Sequence, residues 1–295
     1  MNSMTSLIAL SRPDPAAPLP VARPTTFEQL AALPDECIDV AAGAALIARD
    51  AYARLDVDRV LARLDEMAAP LATAGLASLT AEAQASALSR LVYEDLEFRG
   101  NDQDYYDPKN SLLPDVLDRK LGIPITLALV YCEVARRAGV RAQGISFPGH
   151  FLVRVDHPAE TAPVIVDPFF GGRLLDTPAL ERLLERSAPK QTLTPDLLAP
   201  ASPRTLLVRM LINLKWIYAT RGDFARALLA LDRIISLTPD SVPALRERGM
   251  LAERLGSVEG ARADLSRLLE LVPESDASSI RQRLAELRAK AGPLN

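Results

Sequence analysis

The chain has 295 residues, and its 34 basic side chains nearly balance its 38 acidic ones. It has no run of lysine and arginine and no basic stripe with interleaved aromatic residues, so we expect no direct nucleic-acid ligand. No apolar run approaches the ~20 residues that cross a bilayer, and residues 7–10 are too short a run for a signal peptide. We therefore expect a cytoplasmic protein that does not insert into a membrane.

Composition divides the chain into four stretches. Residues 1–25 are rich in Pro, Ala, Ser and Arg, which predicts a flexible tail. Residues 26–188 are predicted to form one α+β domain, and residues 189–203 form a proline-containing linker. Residues 204–292 are predicted to form a second, all-helical domain.

The first domain is predicted to combine helices with one small sheet. Apolar spacing predicts helices over residues 26–33, 38–52, 57–67, 81–98, 112–120 and 179–186. Residues 125–138 have apolar side chains on nearly every face, which predicts a central buried helix. Four short runs separated by turn residues then predict one antiparallel sheet, over residues 142–146, 151–155, 164–166 and 173–175.

The second domain carries an internal repeat of 34 residues. Gly222, Ala227 and Pro239 recur as Gly256, Ala261 and Pro273, between amphipathic segments over residues 206–221, 224–237, 242–255 and 258–271. This pattern resembles the tetratricopeptide repeat, although Lys215 and Leu268 stand where that repeat has small residues. Residues 280–289 are predicted to cap the stack. Because such arrays need about three repeats, we expect the first repeat to pack on the preceding domain.

His150 and Asp167 are the candidate catalytic residues. His150 stands at the entrance to a predicted strand and Asp167 ends a neighbouring one, so an imidazole and a carboxylate can pair there. Together with the buried helix, this arrangement resembles the transglutaminase-like branch of papain-type folds. That resemblance implies a cysteine at the start of the helix, followed by a His and an Asp on adjacent strands.

The expected position of that cysteine holds no nucleophile. Counted back from Gly139, it falls on Pro124, although a helix N-terminus would favour a thiolate there. Cys132 lies eight residues further on, about 12 Å along the axis and rotated by roughly 80°, so we expect it to be a core residue instead. Cys37 follows two acidic residues, Asp35 and Glu36, and we do not expect it to be a nucleophile.

Several motifs in order resemble the bacterial SirB-type family, a transglutaminase-like core fused to tetratricopeptide repeats. They are Asn110-Ser111, RKLGIPIT over residues 119–126, residues 131–139, FPGHFLVR over residues 147–154, Asp167-Pro168-Phe169 and Gly171-Gly172. The resemblance covers about residues 34–271. It implies that proline in place of cysteine is ordinary in this family and that no reaction is firmly attached to the fold.

Two further groups are candidate binding residues. Asn101, Tyr105, Tyr106, Asn110, Pro124 and Thr126 are candidates for a pocket wall near the start of the central helix, and their alternative role is loop scaffolding and capping. Arg209, Asn213 and Arg246 fall on the first helices of the repeats, where they can meet an acidic peptide, or simply form a solvated helix face.

These observations favour a non-catalytic binding or assembly protein, with regulation as one use. Its partner is expected to be a protein or peptide, bound through the repeats and the adjoining core. The alternative is a hydrolase or acyltransferase of peptide, amide or thioester bonds, in which His150 is the base, Asp167 orients it, and water or Thr126 attacks. A third possibility is a purely structural pair. We expect no cofactor, and His150, Asp167 and His157 lack the spacing of a metal site.

Overall fold

The computed structural model describes residues 23–290. Residues 1–22, which hold most of the predicted tail, and residues 291–295 lie outside this range. The described part contains twelve α-helices and six β-strands. None of its helices is long and apolar enough to span a bilayer.

Four helices form the first layer: α1 (Phe27–Ala31), α2 (Val40–Ala48), α3 (Val57–Ala72) and α4 (Ala81–Ser89). Each begins after a Thr or Asp whose side chain accepts a hydrogen bond from a backbone N–H of the first turn, namely Thr26, Asp39, Asp56 and Thr80. The predicted helix over residues 81–98 is helical only as far as Asp95 and changes type along its length. The α-helix ends at Ser89, and a π-helical turn over Arg90–Asp95 follows, with Leu91 and Val92 in the core.

Helix α5 (Leu113–Arg119) leads into the central helix α6 (Pro124–Arg137). Before each lies one strand of a short parallel pair, β1 (Arg99–Gly100) and β2 (Leu121–Gly122). Eleven of the fourteen residues of α6 are buried, which confirms the predicted central helix. Proline fits the first position of this helix because its missing N–H has no partner there in any case.

The sheet is a single antiparallel one, as predicted. Its strands are β3 (Arg141–Ile145), β4 (Leu152–Asp156), β5 (Val164–Asp167) and β6 (Arg173–Leu175), in that spatial order. One face packs on α6, and the other packs on α7 (Thr177–Ser187). Val153 pairs with Val166, so the register brings the start of β4 beside the end of β5.

The C-terminal part consists of two helical hairpins and a cap. The hairpins are α8 (Pro203–Thr220) with α9 (Phe224–Leu237), and α10 (Val242–Arg254) with α11 (Val258–Leu271). The cap, α12 (Glu274–Lys290), begins earlier than the predicted residue 280. Its buried side chains are Ala277, Ile280, Leu284 and Leu287. Because Ala277 stands among polar residues, the first turn of the apolar face was not recognised in the sequence.

The first hairpin shares a core with the preceding α+β part. Leu207, Met210 and Leu211 of α8 belong to the same buried cluster as α2 and α6. Arg204 donates hydrogen bonds to the backbone carbonyls of Ala31, Leu33 and Leu237, at 3.2, 2.7 and 2.8 Å. Arg233 of α9 pairs with Asp50 at 2.9 Å and also with Glu28.

We expect Arg204→Ala to lower the free energy of unfolding by about 2–4 kcal/mol, because three carbonyls lose a charged donor at the junction of the modules. Urea denaturation at neutral pH measures this. Arg182→Ala is the matched control, since Arg182 is exposed on α7, and it should stay within about 0.5 kcal/mol of wild type. Equal stabilities for the two variants would contradict the prediction.

Candidate functional site

His150 and Asp167 form a hydrogen-bonded pair at one end of the sheet. His150 lies in the turn between β3 and β4, where Gly149 has a φ of +66° and a Cβ would lie 2.5 Å from the Ser187 Cβ. The imidazole Nε2 lies 2.9 Å from Asp167 Oδ1. The Asp167 side chain is fully buried, whereas 12% of the His150 side chain is exposed. The pair therefore stands at the edge of the core.

Several donors surround the Asp167 carboxylate. Besides His150, the backbone N–H groups of Phe169 and Phe170 donate to Oδ1 at 3.1 and 3.3 Å, and Arg173 donates to Oδ2 at 3.4 Å. Burial opposes ionisation, but the hydrogen bond and charge of His150, the Phe169 N–H and Arg173 outweigh it and lower the pKa of Asp167. Asp167 is therefore an ionised acceptor at neutral pH.

This ionisation determines the roles of the two imidazole nitrogens. An ionised carboxylate only accepts hydrogen bonds, so Nε2 of His150 must carry the proton that Asp167 accepts. In the neutral ring Nδ1 then has a free lone pair. No hydrogen bond to Nδ1 occurs among residues 23–290. The arrangement can accept a proton, provided that a substrate or nucleophile reaches Nδ1.

The start of α6 holds Pro124 and Thr126, both buried. The Thr126 hydroxyl donates to the backbone carbonyl of Asn110 at 2.7 Å and accepts from the Ile123 N–H at 3.1 Å. Both contacts fasten the helix start to the preceding loop. Thr126 therefore caps α6 in this structure, and its proton is already engaged with a backbone carbonyl.

Two buried side-chain amides hold the loop before α5 in place through hydrogen bonds. Asn101 donates to the Asn110 side-chain oxygen at 3.0 Å, and Asn110 donates to the backbone carbonyls of Asp104 and Tyr105 at 2.7 and 3.2 Å. The amides thus hold the loop backbone, while the Tyr105 ring stays 39% exposed. Of this group, Tyr105 is the residue that the loop offers to the surface.

Tyr105 belongs to a continuous row of aromatic rings, here called the aromatic strip. It consists of Trp216, Tyr106, Tyr105, Phe169 and Phe170, whose successive ring centroids lie 4.7, 5.2, 5.9 and 5.2 Å apart. Phe170 lies 6.4 Å from the His150 ring. The strip therefore runs from the His150–Asp167 pair across to helix α8.

Sequence reasoning named Tyr105 and Tyr106 but missed Phe170 and Trp216 of the aromatic strip. Tyr106, Phe170 and Trp216 are about half exposed, with 53%, 54% and 46% of their surfaces accessible. Trp216 is the only tryptophan in the chain and follows Arg209 by seven positions, so both lie on one face of α8. That spacing was the available signal, but the contact with Tyr106 depends on the tertiary fold.

The three candidates on the repeats do not share one groove. Arg209 of α8 donates to the Ser146 hydroxyl at 2.6 Å and lies 5.4 Å from the Phe151 ring, next to the strip. Asn213 lies on the same helix and is partly exposed. Arg246 lines a separate groove of about 580 Å³ among α10, α11 and α12.

Neither cysteine joins the His150–Asp167 pair. Cys132 packs against the main core, and burial raises the pKa of its thiol far above the ordinary value. No hydrogen bond links its sulfur to His150 among the described residues, and Cys37 is exposed in the short turn before α2. A search of the same residues finds no cluster of three His, Cys, Asp or Glu side chains that could hold a metal.

The pair is not at the bottom of the groove that the fold forms nearby. A groove of about 870 Å³ lies between β6 and α7, and its lining includes Arg173, Leu174 and Arg186. Neither His150 nor Pro124 lines it. Beside His150 the structure instead places the 54% exposed Phe170 ring and the buried Asp167 carboxylate.

We expect Asp167→Asn to lower the free energy of unfolding at pH 7 by about 2–4 kcal/mol, because a buried charged acceptor is lost. A carboxyl with a lowered folded-state pKa stabilises the protein above its unfolded-state pKa of about 4, and this contribution disappears as the pH falls through the folded-state value. The difference from wild type should therefore shrink below about pH 4.

Denaturation curves measured from pH 3 to pH 8 test this expectation. Asp176→Asn is the matched control, because Asp176 caps α7 by accepting from the Ala179 N–H, and asparagine caps equally well. A stability difference for Asp167→Asn that stays constant across this pH range would contradict the proposed ionisation.

Comparison with known proteins identifies two regions. Residues 58–212 match the transglutaminase-like superfamily, and residues 214–285 match a tetratricopeptide repeat. The first match thus extends into α8, the helix that shares the core. No solved structure matches the chain.

Curated relatives extend along most of the chain. The UPF0162 protein of Xylella fastidiosa (strain 9a5c) is 39% identical over 270 residues, which cover 88% of this chain and 94% of that protein. The UPF0162 protein of Pseudomonas aeruginosa is 34% identical, covering 77% and 83%. F-box only protein 21 of Mus musculus is 34% identical over 179 residues, covering 58% of this chain and 28% of that protein. The chain therefore belongs to the transglutaminase-like superfamily and, with its core followed by tetratricopeptide repeats, to the UPF0162, or SirB-type, family.

Proposed function

We propose that this protein is a non-catalytic binding or assembly protein that holds a protein or peptide partner on the aromatic strip. The observation that carries this proposal is that the strip spans both modules. Tyr105 and Tyr106 come from the loop of the core, whereas Trp216 comes from α8. Contiguous exposed aromatic surface of this kind is typical of interaction sites, where tyrosine and tryptophan dominate the binding energy.

Three features support the non-catalytic part of the proposal. Proline has no nucleophile, and Pro124 occupies the position assigned to the cysteine by the family resemblance. The Thr126 hydroxyl is engaged in capping, at 2.7 Å from the Asn110 carbonyl. The Cys132 thiol packs in the core, where burial disfavours the reactive thiolate. The two unpaired cysteines also support a cytoplasmic location, where thiols stay reduced.

The His150–Asp167 pair has a positioning role in this proposal. Asp167 accepts from the backbone N–H groups of Phe169 and Phe170, so the ionised carboxylate determines how two rings of the strip are presented. Arg173, which also donates to Asp167, lies 5.1 Å from the Phe170 ring. The pair thus holds one end of the binding surface in place without any chemical step.

One specific observation favours the alternative, a hydrolase or acyltransferase of peptide, amide or thioester bonds. The bond to Asp167 uses Nε2 of His150, so Nδ1 has no hydrogen-bond partner among residues 23–290 and the ring is partly exposed. In that reaction Nδ1 would remove a proton from water, and the hydroxide oxygen would attack the acyl carbon. The proton would then pass to the leaving amine or thiol.

An activity comparison of single variants separates these functions. We expect wild type and His150→Ala to release product at the same background rate from chromogenic peptide amides and from acyl thioesters, because binding alone involves no turnover. His157→Ala is the matched control, since it removes the other histidine of the chain. Turnover by wild type and His157→Ala that is lost in a folded His150→Ala variant would establish the enzyme instead.

Substitutions in the aromatic strip test the binding surface directly. We expect Tyr106→Ser and Trp216→Ser each to weaken binding of peptides selected on the wild-type protein by phage display, by about tenfold or more, or at least about 1.4 kcal/mol. Fluorescence anisotropy measures the affinity. Leu79→Ser is the matched control, because Leu79 is a 40% exposed apolar residue outside the strip. Affinities unchanged by both strip substitutions would contradict the proposal.

A further inference from the structure

Arg209 occupies an unusual place beside the aromatic strip. Its guanidinium donates to the Ser146 hydroxyl at 2.6 Å and lies 5.4 Å from the Phe151 ring, the residue that follows His150. Among residues 23–290 it has no ion pair with a carboxylate, and two of its three nitrogen atoms make no hydrogen bond. Arg209 is thus a cation without an anionic partner.

Other partly buried arginines have either acids or several backbone carbonyls as partners, and Arg204 is an example of the second kind. Arg248 donates to Asp264 at 2.6 and 3.0 Å and to Asp232 at 2.8 Å. Arg233 pairs with Asp50 and Glu28. Burial lowers the pKa of Arg209, and only the nearby Tyr105 acts in the opposite direction. The Arg209 guanidinium is therefore partly removed from water, which is unfavourable, without the acidic partner that usually offsets this desolvation.

Apolar surface continues from Arg209 in two directions. Ile212 and Trp216, three and seven residues further along α8, are 43% and 46% exposed. In the other direction, Tyr105 lies near Arg209, and its ring contacts Phe169 at 5.9 Å between centroids. The cation thus lies partway along the strip rather than at one end of it.

We propose that Arg209 binds the side-chain carboxylate of an aspartate or glutamate within an extended partner segment, whose apolar neighbours cover the strip on both sides. This inference rests on the proposed binding function and names the chemistry of the partner. A guanidinium presents parallel N–H donors that match the two oxygens of a carboxylate. A chain-terminal carboxylate would leave one half of the strip uncovered, so the acidic residue is internal.

A peptide array tests the inference with the full-length protein. The probes are nine-residue peptides, acetylated and amidated at their ends, with randomised apolar flanks and a central glutamate, glutamine, phosphoserine or lysine. We expect wild type to prefer central glutamate over glutamine by about tenfold, the order of a charge-assisted pair. Arg209→Gln should abolish this preference, and Arg209→Lys should retain only part of it, because lysine keeps the charge but loses the planar fork.

Controls separate recognition from structure. Arg182→Gln removes an exposed arginine of α7 and should leave the preference intact. Arg209→Gln should melt at or above the wild-type temperature, since an unpaired and partly desolvated charge is removed. A lower melting temperature together with an unchanged glutamate preference would assign Arg209 to the fold and overturn the inference.

The array also separates this inference from the function on which it rests. Retention of apolar peptides without a preference for glutamate, or with a preference for phosphoserine, would overturn the role of Arg209 and leave the binding function standing. Retention of no peptide by wild type would overturn both.

Discussion

Two helical hairpins are too few to bury a continuous core of their own, and this constraint determines the arrangement of the whole chain. Helix α8 places Leu207, Met210 and Leu211 in the same buried cluster as α2 and α6. The first repeat is consequently part of the transglutaminase-like core in physical terms. The opposite face of α8 carries Trp216 and Arg209. Trp216 packs on Tyr106, and Arg209 contacts the turn that holds His150.

The second constraint is a buried carboxylate. Asp167 ends β5 inside the core, and burying a charge is tolerated only when donors surround it. His150, Arg173 and the N–H groups of Phe169 and Phe170 provide them. Removing His150 would leave this carboxylate short of a donor, so stability is a sufficient reason for an Asp–His pair at this place. Its presence is therefore compatible with a protein that lacks a nucleophile.

Local patterns carried most of the fold prediction. In each repeat the glycine marks a turn, the alanine a close contact between helices and the proline the end of a helix. The repeat could therefore be found from the spacing of Gly222, Ala227 and Pro239 alone. The sheet followed from short apolar runs between turns. The π-helical turn at Arg90–Asp95 and the early start of α12 at Glu274 could not be predicted, because the first depends on packing and the second on a stripe interrupted by polar residues.

The candidate site likewise has one part that local sequence patterns predict and one part that depends on the tertiary fold. His150 and Asp167 could be found because each sits at a strand end that is visible in the sequence, and the register then brings them to 2.9 Å. The aromatic strip unites three segments that are far apart in the chain, so no local pattern could show it. Asn110 and Thr126 fall in the family motifs, and Asn101 lies in the same loop as Asn110. Their polar groups bond to each other and to the backbone before α6, so none of them is left for a ligand. Polar residues in such a loop therefore shape the surface indirectly, by holding Tyr105 beside Phe169 and near Arg209.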